Sequence, residues 1–314
     1  MRKILNRSYP DISAIIPSFN GKTHILRLVA SLYKTSYKNL EIIVVDNGST
    51  DGTIEALKKQ FPKTITVNAG KKNIGLTGCR NLGMTLARKS SKYFLLMDAD
   101  TVADKDMIKR LVEFMDNHKN CGIATPMILY LTNKKWVNQA GSNVNLFTGR
   151  VKVGWGPIEK FQKAKQVQNS GTVLFIDRKV IDVIGGFDDQ LFMCYEDVDF
   201  CLRAKRAGFE IWYCPTAISY HDQSIDEDNW RPRVLGRAYA LGRNRTLTLK
   251  KYSPFFPIFL PFIPIFIAYY SREALKYRKP EQIIQFIKGT LAGLRLSLRK
   301  ENYIKIPRYK YNIA

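Results

Sequence analysis

Four apolar runs recur through the first third of the chain: DISAIIP (11–17), LEIIVVD (40–46), TITVNA (64–69) and KYFLLMD (92–98). Each reads as a short buried strand. The stretches between and after them, 22–35, 53–60, 75–90 and 104–117, carry helical apolar spacing. Strand and helix in regular alternation predict an α/β chain whose Rossmann-like, mostly parallel sheet is flanked by helices through right-handed crossovers. Ligands of such sheets gather at the carboxyl ends of the strands.

Those ends are polar here: Pro17-Ser18-Phe19-Asn20, Asp46-Asn47-Gly48 and Asp98-Ala99-Asp100. Packing a core does not ask for two aspartates at the end of YFLLMDAD (93–100). A turn or a cap for the helix expected near Asp104 is the plain alternative. A carboxylate at that place can also accept hydrogen bonds from a base or ribose, or hold a hard cation that bridges phosphate oxygens. A second acidic group lies in GGFDDQLFMCYEDVDFCLRAKRAGF (185–209), where Glu196, Asp197 and Asp199 stand at the entry to a helix. Complementing the helix dipole is worth roughly 0.3–1 kcal/mol per carboxylate and explains Asp199 more readily than the adjacent Glu196 and Asp197, which repel unless a cation, donor or proton relieves them. After FEIWYCP, another expected strand, comes His221 in ISYHDQ, which in this setting becomes a candidate metal ligand.

The chain has 314 residues, 45% of them hydrophobic, and a net charge of +23, which asks for an anionic partner. The charge is uneven. Residues 231–314 hold eighteen Lys or Arg against Glu273, Glu281 and Glu301, leaving only +8 for the first 230 residues. Five cysteines (79, 121, 194, 201, 214) show no metal-ligand spacing. With an odd count and no signal-like core in MRKILNRSYP, they predict reduced, cytosolic thiols.

Taken in order, SAIIPSFNG, EIIVVDNGSTDGT, NIGLTGCRNLG, LLMDAD, NSGTVLFIDR, GGFDDQLFMCYEDVDFCLRAKRAGF and ISYH make the chain resemble a family 2 glycosyltransferase of the GT-A fold, in the rhamnosyltransferase-like branch. The resemblance covers residues 11 to about 250. It implies that Asp46 bonds the nucleobase of a UDP- or dTDP-sugar in a pocket shaped by Pro17 and Phe19, and that Asn73, Gly75, Arg80 and Asn81 lie along the nucleotide. Asp98 is implied at the ribose and the sugar or metal region, Asp100 as a ligand of Mg²⁺ or Mn²⁺ and His221 as its companion. Gly171 and Thr172 line the junction of sugar and acceptor. Asp197 is the implied general base, with Glu196 orienting acceptor or donor. Inverting transfer requires a base at the acceptor hydroxyl, which a carboxylate supplies, and an electrophile at the departing diphosphate, which a divalent cation supplies; two separated acidic groups answer to the base and to the cation.

The remainder reads differently. SPFFPIFLPFIPIFIAYY (253–270) is apolar, short of the ~20 residues of a simple span and broken by prolines at 254, 257, 261 and 264. Over 281–300, Ile283, Ile287, Leu291, Leu294 and Leu298 form one stripe, and Lys288, Arg295 and Arg299 an opposing one. Such a basic amphipathic helix suits an anionic membrane surface. The expected organisation is a catalytic domain over 1–230, with nucleotide-sugar and acceptor halves meeting near 120, and a membrane-associating helical region over 231–314. The chain is expected at the cytoplasmic face of the cell membrane, peripheral or shallowly inserted, with a single span as the alternative; its acceptor would be a lipid-linked or other glycan. A nucleic-acid binder finds no recognised motif. An NDP-sugar-forming nucleotidyltransferase would carry a Gly-rich basic phosphate loop where PSFNG stands.

Overall fold

The computed structural model describes residues 9–70, 72–297, 303–309 and 311–313. The first strands are β1 (Ile12–Ser18), β2 (Leu40–Asp46), β3 (Ile65–Asn68), β4 (Tyr93–Met97), β5 (Thr101–Ala103) and β6 (Cys121–Tyr130). Small strands β7 (Trp136–Gln139), β8 (Ser142–Val144), β9 (Val151–Val153), β10 (Gly156–Pro157) and β11 (Lys165–Gln166) follow, then β12 (Val173–Asp177), β13 (Glu210–His221) and β14 (Asn312–Ile313). Six helices serve the sheet: α1 (Lys22–Tyr33), α2 (Thr53–Gln60), α3 (Gly75–Leu86), α4 (Met107–Asn117), α5 (Arg178–Ile184) and α6 (Glu196–Arg206).

The parallel order β3-β2-β1-β4 is continued by antiparallel β12 and then by β6, whose other side carries β13 in parallel. Register decides the site. Ser18 pairs with Asp46 and Asp46 with Asn68, so the polar ends of β1 and β2 share one edge with the end of β4. These strands are apolar throughout because helices cover both faces: Ile25, Leu28, Val29 and Leu32 of α1 bury one side, and Cys79 and Leu82 of α3 another.

Two expected boundaries move. The third helix stops at Leu86 rather than near 90, because the Arg88 backbone N–H donates to the buried Glu41 carboxylate (2.9 Å). The fourth begins at Met107 rather than 104, because residues 101–103 form β5 against Ser219–His221. That pairing sets His221 opposite Thr101, one residue beyond Asp100.

Beyond the sheet run α7 (Glu227–Leu235), α8 (Ala238–Tyr252), a 3₁₀ turn (Phe256–Phe259), α9 (Phe262–Lys276) and α10 (Glu281–Arg295). Leu235, Ala238, Tyr270, Ala274 and Phe286 form their shared apolar cluster. The buried face of α10 is Phe286, Gly289, Thr290 and Gly293, not the leucine stripe. Gly289 lies so near α8 that a Cβ there would stand 2.1 Å from the Tyr239 carbonyl oxygen. On the stripe, Ile283, Ile287 and Leu294 are half-buried and Leu291 is exposed, while Leu298 and Arg299 fall outside the described residues. Phe256–Lys276, with a mean hydropathy of 1.3, is the one stretch among the described residues long and apolar enough to cross a membrane, and only 22% of its apolar window is buried. All five cysteines are free.

Candidate active site

Strand ends of β1, β2 and β4 form one wall of a cleft with about 710 Å³ of room, within the usual range for a small-ligand site. Pro17 and Phe19 line it from β1, with the Phe19 ring 54% exposed at the rim. Asp46 lies beneath the surface, and its neighbour Asn47 forms the wall. The Asp46 Oδ2 accepts from the Gly48 and Ser49 N–H groups (3.1 and 2.8 Å), whereas its Oδ1 is buried without a partner. A buried acceptor left unpaired is costly, and Asp46 is not itself among the residues that line the cleft. Asn73 accepts from Asn47 Nδ2 (2.7 Å) and the Gly75 N–H (2.9 Å), fixing the entry to α3. Gly75 has φ 77° and faces the Phe192 ring, where a Cβ would come within 2.5 Å.

Arg80 and Asn81 part company. One helical step of about 100° separates them, so only one can look into the cleft. Asn81 looks away: it is fully buried, donates to the Phe187 carbonyl (2.9 Å) and accepts from the Phe187 N–H (2.8 Å). The expectation that Asn81 lies along the nucleotide is therefore corrected. Arg80 reaches the cleft floor, but not as a free phosphate ligand. Its guanidinium, 1% exposed, donates to Asp98 Oδ1 (2.9 Å) and to Glu196 Oε1 (3.1 Å). The two acidic groups, 98 residues apart in the chain, are thus joined through one guanidinium.

Asp98 is half-buried; burial pushes its carboxyl up against the pull of Arg80, and Asp100 adds to the rise. Asp100 turns to the cleft with its Oδ2 3.3 Å from His221 Nε2. Burial works against its charge, yet the His221 contact outweighs it and holds this carboxyl below the ordinary value. The other ring nitrogen of His221 meets Asn138 Oδ1 at 3.0 Å; an amide oxygen only accepts, so Nδ1 donates there and Nε2 is turned toward Asp100. Among the described residues no three His, Cys, Asp or Glu side chains cluster as a metal centre. One carboxylate and one oriented imidazole nonetheless suit Mg²⁺ or Mn²⁺, which leave most positions to phosphate and water.

Across the cleft, Glu196 and Asp197 open α6. Glu196 is buried, and burial together with Asp197 raises its carboxyl to about 7. Asp197 is half-exposed; its Oδ2 accepts from Asn169 Nδ2 (2.8 Å), which in turn bonds Ser142 (3.1 Å). Asp199 belongs to the fold instead. It accepts from Arg203 (2.8 Å), Lys251 (2.6 Å) and the Tyr252 hydroxyl (2.7 Å), all buried or nearly so. Gly171 and Thr172 line the wall between the acidic groups, where Gln139 receives both the N–H and the hydroxyl of Thr172 (3.3 and 3.0 Å).

Sequence reasoning missed the supports: Asn138, Gln139, Asn169 and, most of all, Asn244 of α8. The buried Asn244 amide donates to the carbonyls of Leu191, Met193 and Cys194 (2.7, 2.7 and 2.9 Å). It holds the loop in which Phe192, Cys194 and Tyr195 all have positive φ, immediately before Glu196.

A mostly parallel sheet whose strand ends face an acidic cleft defines a GT-A fold, and comparison with solved structures agrees. The mannosyltransferase from Pyrobaculum calidifontis, solved with GDP-Man and Mn²⁺, superposes with a TM-score of 0.57 at 16% identity, covering 92% of this chain and 88% of that one. Residues 1–349 of Staphylococcus aureus TarS with UDP-GlcNAc give 0.58 at 19% identity, covering 89% and 79%. The glycosyl transferase family 2 profile matches residues 13–182, and the chain belongs to that family; it is a glycosyltransferase. A dTDP-rhamnosyl transferase of Shigella flexneri is 25% identical over 68% of this chain and 71% of its own length. An N-acetylglucosaminyl-diphospho-decaprenol L-rhamnosyltransferase of Mycobacterium tuberculosis is 23% identical over 68% and 76%. An uncharacterized glycosyltransferase of Haemophilus influenzae is 32% identical, but the match spans only 44% of that relative.

Proposed function

We propose that this glycosyltransferase moves a sugar from a UDP- or dTDP-sugar, with inversion and with help from a divalent cation, onto a hydroxyl of a lipid-linked glycan in cell-envelope polysaccharide synthesis. The observation that supports the reading best is the Asp98–Arg80–Glu196 bridge, which joins the acidic groups of a cleft lined by Asp197 and by Asp100, whose carboxylate is 3.3 Å from His221. Phe19 offers a face for the base, and Asp46 and Asn73 lie beneath it. Asp100 and His221 would hold the cation, which supplies charge to the leaving diphosphate. Asp197, oriented by Asn169, takes the proton of the acceptor hydroxyl as that oxygen attacks the anomeric carbon; the bond from that carbon to the diphosphate breaks and NDP departs. Glu196, held by Arg80, orients the acceptor.

The C-terminal helices and the rhamnosyltransferase relative whose name specifies a diphospho-decaprenol substrate support this acceptor class. Phe255, Ile258, Leu260, Ile265, Tyr269, Leu275, Ile284 and Leu291 are each at least 40% exposed, beside the exposed basic residues Lys288 and Arg295. That composition fits shallow docking of 231–314 on the cytoplasmic leaflet, with 1–230 as the catalytic unit. The decisive experiment is Asp197→Asn, which keeps shape and removes basicity. NDP binding should survive while turnover falls by roughly 10²–10⁴. Equal loss of NDP affinity and turnover would make Asp197 a binding residue, and full activity in EDTA would remove the cation.

A further inference from the structure

The cleft has a third wall that neither acidic group explains. Arg233 of α7 and Arg237, at the join to α8, both line it. The join stays wound, since the Gly236 N–H bonds Pro232 O and the Arg237 N–H bonds Val234 O (3.1 and 3.0 Å). Two arginines four residues apart on a wound backbone share a face, where like charges repel unless an anion intervenes. Both side chains are exposed, and neither has a carboxylate partner among the described residues. The fold does not need them: the join is anchored by Leu235 and Ala238, both nearly or fully buried, and by the Tyr270 hydroxyl on the Leu235 carbonyl (2.8 Å).

The pair shares the cleft with both acidic groups and with Met193 and Cys194 of the loop before Glu196. Arg237 also bears electrostatically on Cys194, two residues before Glu196. The same join rests on the cluster of Tyr270, Ala274 and Phe286, from which the exposed apolar helices extend. The arginines therefore stand where the cleft meets the helices that carry the exposed apolar side chains.

We propose that Arg233 and Arg237 form a phosphate-binding site on the acceptor side of the cleft, taking the phosphate or diphosphate that joins an acceptor sugar to its lipid. This rests on the transferase reading above and adds the acceptor's anionic group to it. Arginine suits the task because its planar fork pairs phosphate oxygens two at a time.

Isothermal titration with farnesyl diphosphate tests the site in full-length protein already saturated with Mn²⁺ and UDP or dTDP, so that the donor's diphosphate position is filled. Wild type should bind farnesyl diphosphate saturably and farnesol at least tenfold more weakly. Arg233→Ala with Arg237→Ala should weaken farnesyl diphosphate roughly 10- to 100-fold, as loss of charged hydrogen bonds predicts, and change the Kd for UDP or dTDP less than twofold. The double lysine variant should keep most of the affinity, which answers a misfolded alanine variant. Equal binding of farnesol, or an alanine variant that binds farnesyl diphosphate like wild type, overturns the site. A parallel loss of UDP or dTDP affinity assigns the arginines to the donor and also overturns it. Failure of wild type to bind UDP or dTDP with Mn²⁺ counts against the transferase reading instead, and farnesyl diphosphate binding is then scored without nucleotide.

Discussion

The sheet edge and the C-terminal helical layer solve opposite problems. At the edge, charged groups are tied to one another or to amides: Arg80 spans Asp98 and Glu196, Asp100 meets His221, and Asp197 meets Asn169. In the helical layer the apolar groups are left open and the backbones pack closely through Gly242, Gly289 and Gly293. The edge pairs its polar groups with one another, and the helices leave an apolar surface uncovered. Yet the two are joined, because Asn244 and Lys251 of α8 reach the loop and helix that carry Glu196 and Asp197. A helix far along the chain thus shapes the catalytic loop.

The comparison is broken most severely at Arg80. Arg80→Ala leaves the buried Glu196 and the half-buried Asp98 without their shared cation, so urea unfolding should show a loss of about 3–5 kcal/mol. A loss below 1 kcal/mol would mean the carboxylates are relieved by water and the bridge is not what holds the edge together. Next comes Gly289→Val. Its side chain would meet the Tyr239 carbonyl, a backbone atom that cannot step aside, and overpacking of this kind costs about 1–3 kcal/mol. If the helical layer supports the loop before Glu196, turnover of that variant should fall as well. Unchanged turnover with reduced stability would separate the two regions.

A smaller effect follows from Glu196. Its carboxyl is raised from an ordinary 4.5 to about 7, so between those pH values the folded chain keeps a proton that the unfolded chain has released. The group's contribution to stability is fully present below pH 4.5 and is lost as pH rises through 7. Urea midpoints at pH 5 and 7.5 should therefore drop more in wild type than in Glu196→Gln. Parallel slopes would place the Glu196 titration elsewhere. The smallest effect on stability belongs to Ile265→Ser with Leu291→Ser, at exposed positions (60% and 44%), where about 0.5 kcal/mol or less is expected. Co-sedimentation with anionic liposomes should nevertheless weaken, and Lys288→Glu with Arg295→Glu should weaken it further at low salt. Stability lost without any change in sedimentation would make the apolar face ordinary packing surface.

Much of this was legible in the chain. Continuous apolar runs with period-3.6 stretches between them leave few topologies, and parallel pairing carries their polar ends to one edge. That is why Asp98, Asp100, Glu196, Asp197 and His221 were found as candidates from residue type and place alone. Asn81 was misplaced because its neighbour Arg80 shares the motif but not the helix face, and face is decided by which strands the helix covers. Asp199 looked like its neighbours at Glu196 and Asp197; only Lys251 and Tyr252, about fifty residues on, show that it holds the fold.

The sequence by itself determined local structure and residue chemistry: where strands run, where they end and which ends carry carboxylates, because backbone periodicity is written in neighbouring residues. Tertiary structure alone decided the partners. Arg80 faces Asp98 and Glu196, Asn138 orients His221, Asn244 holds the loop before Glu196, and two arginines from α7 and its join close the cleft. Each of these is a choice of neighbour across many residues, settled by how helices and sheet pack, and no local pattern in the chain encodes it.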